Sequence, residues 1–140
     1  WLFDWKTIRK NGVFATFKGG VESARVVGVV IPADGFYRLH FNINLEKASS
    51  DSAMGVAILR MPPEWKPPAD VNYMIESGIS TRLDRYWRLF TSWSATNTFG
   101  AVSGVMWCAE GDKVLPTAYT VNVSKTVNSL LTSFSVQRVG

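Results

Sequence analysis

With 140 residues, 46% of them hydrophobic, the chain suits one domain that buries roughly 68–70% of its unfolded surface, so a real core is available. A formal net charge of +4 is spread along the sequence, with its tightest groups at Lys6/Arg9/Lys10 and Arg82/Arg85/Arg88, and this is thin support for nucleic-acid binding. The single cysteine, Cys108, leaves no intrachain disulfide and cannot alone make a zinc site, and no apolar run approaches the roughly 20 residues that cross a membrane.

The aromatics (Trp 6, Phe 8, Tyr 4), the Gly count of 11 and a polar set rich in Ser, Thr and Asn favour pleated sheet with many turns. Trp1-Leu2-Phe3-Asp4-Trp5 is too aromatic for a solvated tail, so residues 1–10 are expected to pack on this domain, a neighbouring subunit or a preceding stalk. Starting at Trp1 without a Met, the sequence reads as the tail of a longer chain whose head domain is 11–140. Asn11-Gly12 is a turn signal, Val13 to Phe17 a short strand closed by Gly19-Gly20, and Arg25 to Ile31 the next strand.

The clearest instruction comes after the corner Pro32-Ala33-Asp34-Gly35, where Pro32 removes a donor and Asp34-Gly35 supplies a turn. From Tyr37 the pattern alternates strictly. Tyr37, Leu39, Phe41, Ile43 and Leu45 fall on one face and Arg38, His40, Asn42, Asn44 and Glu46 on the other, a period of two that a half-buried strand satisfies. After the polar loop 47–52, Ala53 to Met61 returns as a strand that is apolar or small on both faces. It is therefore either a central strand or one whose second face meets another subunit.

Pro62-Pro63-Glu64-Trp65-Lys66-Pro67-Pro68 excludes helix and central strand, because four prolines in seven positions remove donors and restrict the residues before them. Asn72 to Glu76 is a short strand broken by Ser77-Gly78. Tyr86 to Ser94 follows, with Trp87, Leu89, Thr91 and Trp93 on one side, and then Phe99 to Ala109, closed by Glu110-Gly111-Asp112. Cys108, beside Val105, Met106 and Trp107, is expected to be a buried small residue. Lys113 to Val123 contains Pro116, which argues for an edge strand or a bulge. Leu130 to Val139 ends the chain, with Leu130, Thr132, Phe134, Val136 and Arg138 opposite Leu131, Ser133, Ser135 and Gln137. These eight to ten short strands, with no βαβ alternation, predict an all-β antiparallel sandwich or barrel.

Three anchors in order resemble the C1q/TNF-like jelly-roll family. They are Gly12-Val13-Phe14-Ala15-Thr16-Phe17; Ile31-Pro32-Ala33-Asp34-Gly35-Phe36-Tyr37-Arg38-Leu39-His40-Phe41, which is similar to the family's Pro-x-x-Gly-x-Tyr-x-Phe segment; and Glu110-Gly111-Asp112-Lys113-Val114 with Ser133-Phe134-Ser135-Val136. Leu39 stands where the family commonly has an aromatic, and Pro62 to Tyr86 matches none of its pattern. The resemblance implies an antiparallel jelly-roll β-sandwich that assembles as a homotrimer. The ending 132–140 and the Pro-rich stretch 61–68 are similar to heads of bacteriophage tail-fibre and baseplate proteins. That implies a virion location, other fibre or baseplate proteins as partners, and attachment to a host cell-surface saccharide.

For catalysis the inventory is thin. His40 lies between Arg38 and Asn42, the acids Asp34, Glu110 and Asp112 fall in turns, and no phosphate loop, metal-ligand cluster or nucleophile elbow is present, so neither enzyme chemistry nor a cofactor is expected. Saccharide recognition asks for an aromatic surface beside planar hydrogen-bonding groups. Trp65, Asp70, Asn72 and Tyr73, with Arg82, Asp84 and Arg85, supply that chemistry in the middle third, although Trp65 can equally be a plug pinned against the sheet by its prolines. Arg82, Arg85, Tyr86, Trp87 and Arg88 form the one basic and aromatic stretch; a solvated or interfacial strand explains it as well as polyanion binding does, and nucleic acid and membrane are not expected partners. Two further readings stay open: a structural trimerisation or decoration head without a receptor, and a secreted C1q/TNF-like ligand for a protein receptor.

Overall fold

The computed structural model describes residues 14–18, 26–47, 54–66, 87–93, 99–120, 126–127 and 132–140. Among them there is no helix, and the strands are β1 (Ala15–Lys18), β2 (Val26–Val30), β3 (Gly35–Lys47), β4 (Met54–Met61), β5 (Trp87–Trp93), β6 (Phe99–Cys108), β7 (Lys113–Thr120), β8 (Thr126–Val127) and β9 (Ser133–Arg138). All ladders are antiparallel. One sheet runs β1-β2-β7-β4-β5; in the other, β3 pairs with β6 along one side and with β9 and then β8 along the other.

The pairs β2 with β7, β3 with β6 and β4 with β5 are nested about a midpoint between β4 and β5. Within that nest the chain changes sheet at β2–β3, β3–β4, β5–β6 and β6–β7, as a long hairpin does when it is rolled over itself, and it changes once more from β7 to β8. Two of these crossings are locked together. Ile31 N donates to Asp112 O (2.8 Å), Gly111 N to Ile31 O (2.9 Å) and Glu110 N to the Asp34 carboxylate (2.7 Å). Asp112 N donates to Ala109 O, and Gly111 has φ +86° at the third position of that turn, the left-handed conformation that a type II turn asks of glycine.

The core sits between the sheets. Tyr37, Leu39, Phe41 and Ile43 of β3 are fully buried against Val56 and Ile58 of β4, Val114 and Ala118 of β7, and Met106 and Cys108 of β6. Each large aliphatic or aromatic side chain gains about 1.5–3 kcal/mol on leaving water. Tyr37 keeps its hydroxyl satisfied at the rim by donating to Ala33 O (2.6 Å), and its ring meets Phe14 edge-on.

A second apolar cluster lies on the opposite face of the five-stranded sheet, where Phe17, Val27, Ala57, Leu59, Met61 and Leu115 are buried and Trp65 packs against them. This resolves the two-faced pattern of β4. It is a central strand between β7 and β5, and Val56 and Ile58 are buried on one side while Ala57 and Leu59 are buried on the other, within a single chain. Subunit contact is not needed to explain that strand.

β7 corrects the expectation drawn from Pro116. The strand lies inside the sheet and its register with β4 continues without a bulge. The proline is tolerated because β2 pairs only with Lys113 and Val114, so its ladder stops short of Pro116. The expected strand at 72–76 and the aromatic segment 1–5 lie outside the described residues, as do the side chains of 87–93.

Candidate interaction surface

Alternation along β3 determines what the β6-β3-β9 sheet shows on its outer side. With Tyr37, Leu39, Phe41 and Ile43 pointing inward, Phe36, Arg38, His40, Asn42 and Asn44 must point outward. The β6 register puts Trp107 opposite Phe36, Val105 opposite Arg38, Ser103 opposite His40, Ala101 opposite Asn42 and Phe99 opposite Asn44. On the other flank β9 places Gln137 beside Arg38, Ser135 beside His40 and Ser133 beside Asn42. Val139 continues this row: its N donates to Phe36 O (2.8 Å), and Phe36 N donates to Gly140 O (2.9 Å).

The result is an exposed apolar cluster at one end of the sheet, with Phe36 51%, Val105 51%, Trp107 46% and Val139 42% exposed. Cross-strand neighbours stand about 5 Å apart at Cβ, so these side chains form one continuous patch. Such a patch on a folded chain ordinarily marks an interaction site.

Four charged side chains at the corners beside the patch are engaged. Arg60 Nη1 donates to Trp107 O and its Nε lies 3.9 Å from the Asp112 carboxylate. Arg138 Nη2 donates to Asp34 O (3.0 Å), and the Asp34 carboxylate accepts from Glu110 N. The Asp112 carboxylate also accepts from Ala109 N (2.9 Å). These contacts hold the corners in place.

Cys108 is buried as expected, on the inner side of the same strand that carries Trp107. Burial pushes its thiol up to about 11, against the opposing pull of Arg60. A neutral, covered thiol is a packing group and a poor nucleophile. Its neighbours divide by strand parity. Met106 faces inward with it, while Val105 and Trp107 face solvent.

His40 is exposed on the sheet face with Ser103 and Ser135 across from it. None of the residues paired with His40, or with its neighbours Arg38 and Asn42, on that face is a carboxylate that could orient an imidazole for nucleophilic catalysis. No group of three or more metal-ligating side chains occurs among the described residues.

Of the residues singled out for saccharide contact, the structure describes Trp65. Its ring meets Phe17 edge-on (centroids 6.4 Å apart, planes at 84°) and it is partly buried on the outer cluster. Its backbone oxygen accepts from Lys113 Nζ (2.7 Å), and that ammonium lies 5.5 Å from the Phe17 ring. This is the plug arrangement. Asp70, Asn72, Tyr73, Arg82, Asp84 and Arg85 lie outside the described residues.

Sequence reasoning missed the Phe36–Trp107 patch, although the signal was present. Extending the β3 alternation one residue back puts Phe36 outward, and applying the same parity to Phe99–Cys108 puts Val105 and Trp107 outward. No protein-family model matches the chain, and no curated protein matches it in sequence.

Proposed function

We propose that this chain is a non-catalytic, homotrimeric jelly-roll head of the C1q/TNF-like kind, carried at the end of a phage tail fibre or baseplate protein, that attaches to a saccharide on the host surface. The nested pairing of β2/β7, β3/β6 and β4/β5 carries the reading, because two Greek keys rolled from one hairpin give this strand order. The sheet orders β2-β7-β4-β5 and β9-β3-β6 are those that such a roll produces. An apolar outer face on one sheet supports multimerisation, and three equivalent weak sites per head raise avidity without any single strong contact.

Saccharide contact is assigned to the middle third, Asp70 to Arg85, where planar amide, carboxylate and guanidinium groups concentrate. A purified polysaccharide panel and host-cell binding test it. Retention that falls in Arg85→Ala while the fold persists supports the reading; absence of retention by the wild-type chain removes it. The packed ring of Trp65 favours a second reading, a structural trimerisation or decoration head that touches no receptor. That reading predicts association and high thermal stability with no host binding.

A further inference from the structure

Side chains on the outer face of the β6-β3-β9 sheet form rows across the strands, about 6.8 Å apart along them. The first row sets Trp107, 46% exposed, beside Phe36, 51% exposed. The next sets Arg38 between Val105 and Gln137, and the third sets His40 between Ser103 and Ser135. All of these residues are exposed. Among the described residues no hydrogen bond or ion pair engages the side chains of Arg38, Gln137, His40, Ser103 or Ser135, whereas Arg60 and Arg138 at the corner are held. Two aromatic rings thus stand one row away from planar groups that are free to bond, on a sheet that fixes their spacing. An aromatic surface beside such groups is what recognition of a sugar requires.

Charge narrows the ligand. The outward residues of β3 from Phe36 to Asn44, and their partners on β6 and β9, include no Asp or Glu. Glu46 lies eight residues from Arg38, about 26 Å along the strand. At the corner beyond Trp107, the Asp34 carboxylate accepts from Glu110 N and that of Asp112 from Ala109 N. Arg38 is therefore a guanidinium with no acidic side chain beside it. Covering it with a neutral sugar or an apolar protein face would strip its water without return. A carboxylate or phosphate instead takes two N–H groups of its fork at once. A nucleic-acid backbone is held by several cations, and this stretch of the face offers one.

We infer that Phe36 and Trp107 stack against the apolar face of an acidic saccharide while Arg38 takes its carboxylate or phosphate and Gln137 and His40 bond neighbouring hydroxyls. The inference rests on the attachment part of the reading above, to which it adds a ligand class and a place of contact apart from Asp70 to Arg85. It does not rest on the multimeric part, because a copy seated on this face would exclude the ligand.

Isothermal titration calorimetry of the whole 140-residue chain tests this with four probes: oligogalacturonate, a glycerol-phosphate polymer bearing sugars, dextran, and polyacrylate as an acid without sugar. The variants are Trp107→Ala, Arg38→Gln, Arg85→Ala and, as a charge control away from the face, Lys66→Ala, with circular dichroism to confirm folding. One of the two acidic saccharides should bind at least about tenfold tighter than dextran and polyacrylate, and which one does so tells carboxylate from phosphate. Trp107→Ala and Arg38→Gln should each weaken that binding at least about tenfold, and Lys66→Ala should leave it unchanged. Polyacrylate binding as tightly reduces the effect to charge and overturns the inference. Dextran binding as tightly overturns the acidic class and keeps attachment. Saccharide binding that Arg85→Ala weakens and that Trp107→Ala and Arg38→Gln both leave intact overturns this site and keeps the middle third. If neither acidic saccharide binds, the inference falls, and host-cell retention decides separately whether attachment survives. A multimer in analytical ultracentrifugation that Val105→Lys disperses shows the face covered by copies and also overturns it.

Discussion

Replacing Trp65 with alanine separates the two roles open to that side chain. A tryptophan brings up to about 250 Å² to a contact; with most of that covered, roughly 120–150 Å² of apolar area returns to water on truncation, or about 3 kcal/mol at about 25 cal/mol per Å². Loss of the edge-on contact with Phe17 adds up to about 1 kcal/mol, and partial collapse of Leu59 and Met61 into the gap takes a similar amount back. The bond from Lys113 Nζ ends on the Trp65 backbone oxygen and survives the substitution. Urea denaturation should therefore show a midpoint lower by about 1.5 M, taking a slope of about 2 kcal/mol per M. Trp107→Ala is the paired control: that side chain is 46% exposed on the sheet surface, so its truncation should cost below about 1 kcal/mol. A Trp65→Ala chain as stable as wild type would refute the plug assignment and return the ring to the saccharide reading.

Three further substitutions or conditions probe the packing. Gly28 lies opposite Phe17 in the β1–β2 ladder, and a Cβ there would meet Val114 O at 2.3 Å and Phe17 Cε1 at 2.6 Å, so Gly28→Ala should cost about 2–3 kcal/mol in thermal or urea unfolding. Thr117 is fully buried with no hydrogen-bond partner for its Oγ1 among the described residues; the equally β-branched Thr117→Val should raise stability by about 1 kcal/mol, measured the same way. The Cys108 thiol ionises near 9 in an unfolded chain and near 11 when buried, so above pH 9 the unfolded state loses its proton first. Stability should accordingly fall as pH rises from about 9 towards 11, Cys108→Ala should lack that component, and a thiol reagent should react in urea and not in the native chain.

What could be read from the sequence followed from period and punctuation. The β3 alternation identified the four residues that became the centre of the core, and Glu110-Gly111-Asp112 marked the β6–β7 corner because a left-handed residue is needed there. Pro116 misled because a missing donor is harmful only where a neighbour would accept it, and how far β2 extends along β7 is a tertiary fact that no local pattern contains. β8, two residues long, is too short for any periodicity. For the surface, Val105, Met106 and Trp107 were used only to place Cys108 inside, and strand parity divides the run into Met106 and Cys108 inside and Val105 and Trp107 outside. The outer cluster around Leu59 and Leu115 had no signal beyond the doubly apolar β4, which a central strand and a subunit contact explain equally well.

That ambiguity decides where a seam between copies can lie. A strand apolar on both faces is an argument for association only while one face lacks cover, and Ala57, Leu59, Met61 and Leu115 are covered within the chain at 4% exposure or less. Once β4 is satisfied internally, any association of copies would have to rest on side chains that stay wet in a single copy. Among the described residues the large ones are Phe36, Phe99, Val105, Trp107 and Val139, and the first four belong to the outward rows of β3 and β6, with Val139 bonded to Phe36 at their end. β3 therefore carries both halves of the problem. Tyr37, Leu39, Phe41 and Ile43 build the core, and Phe36, Arg38, His40, Asn42 and Asn44 present the outer face, so a one-residue slip in its register would exchange the two at once.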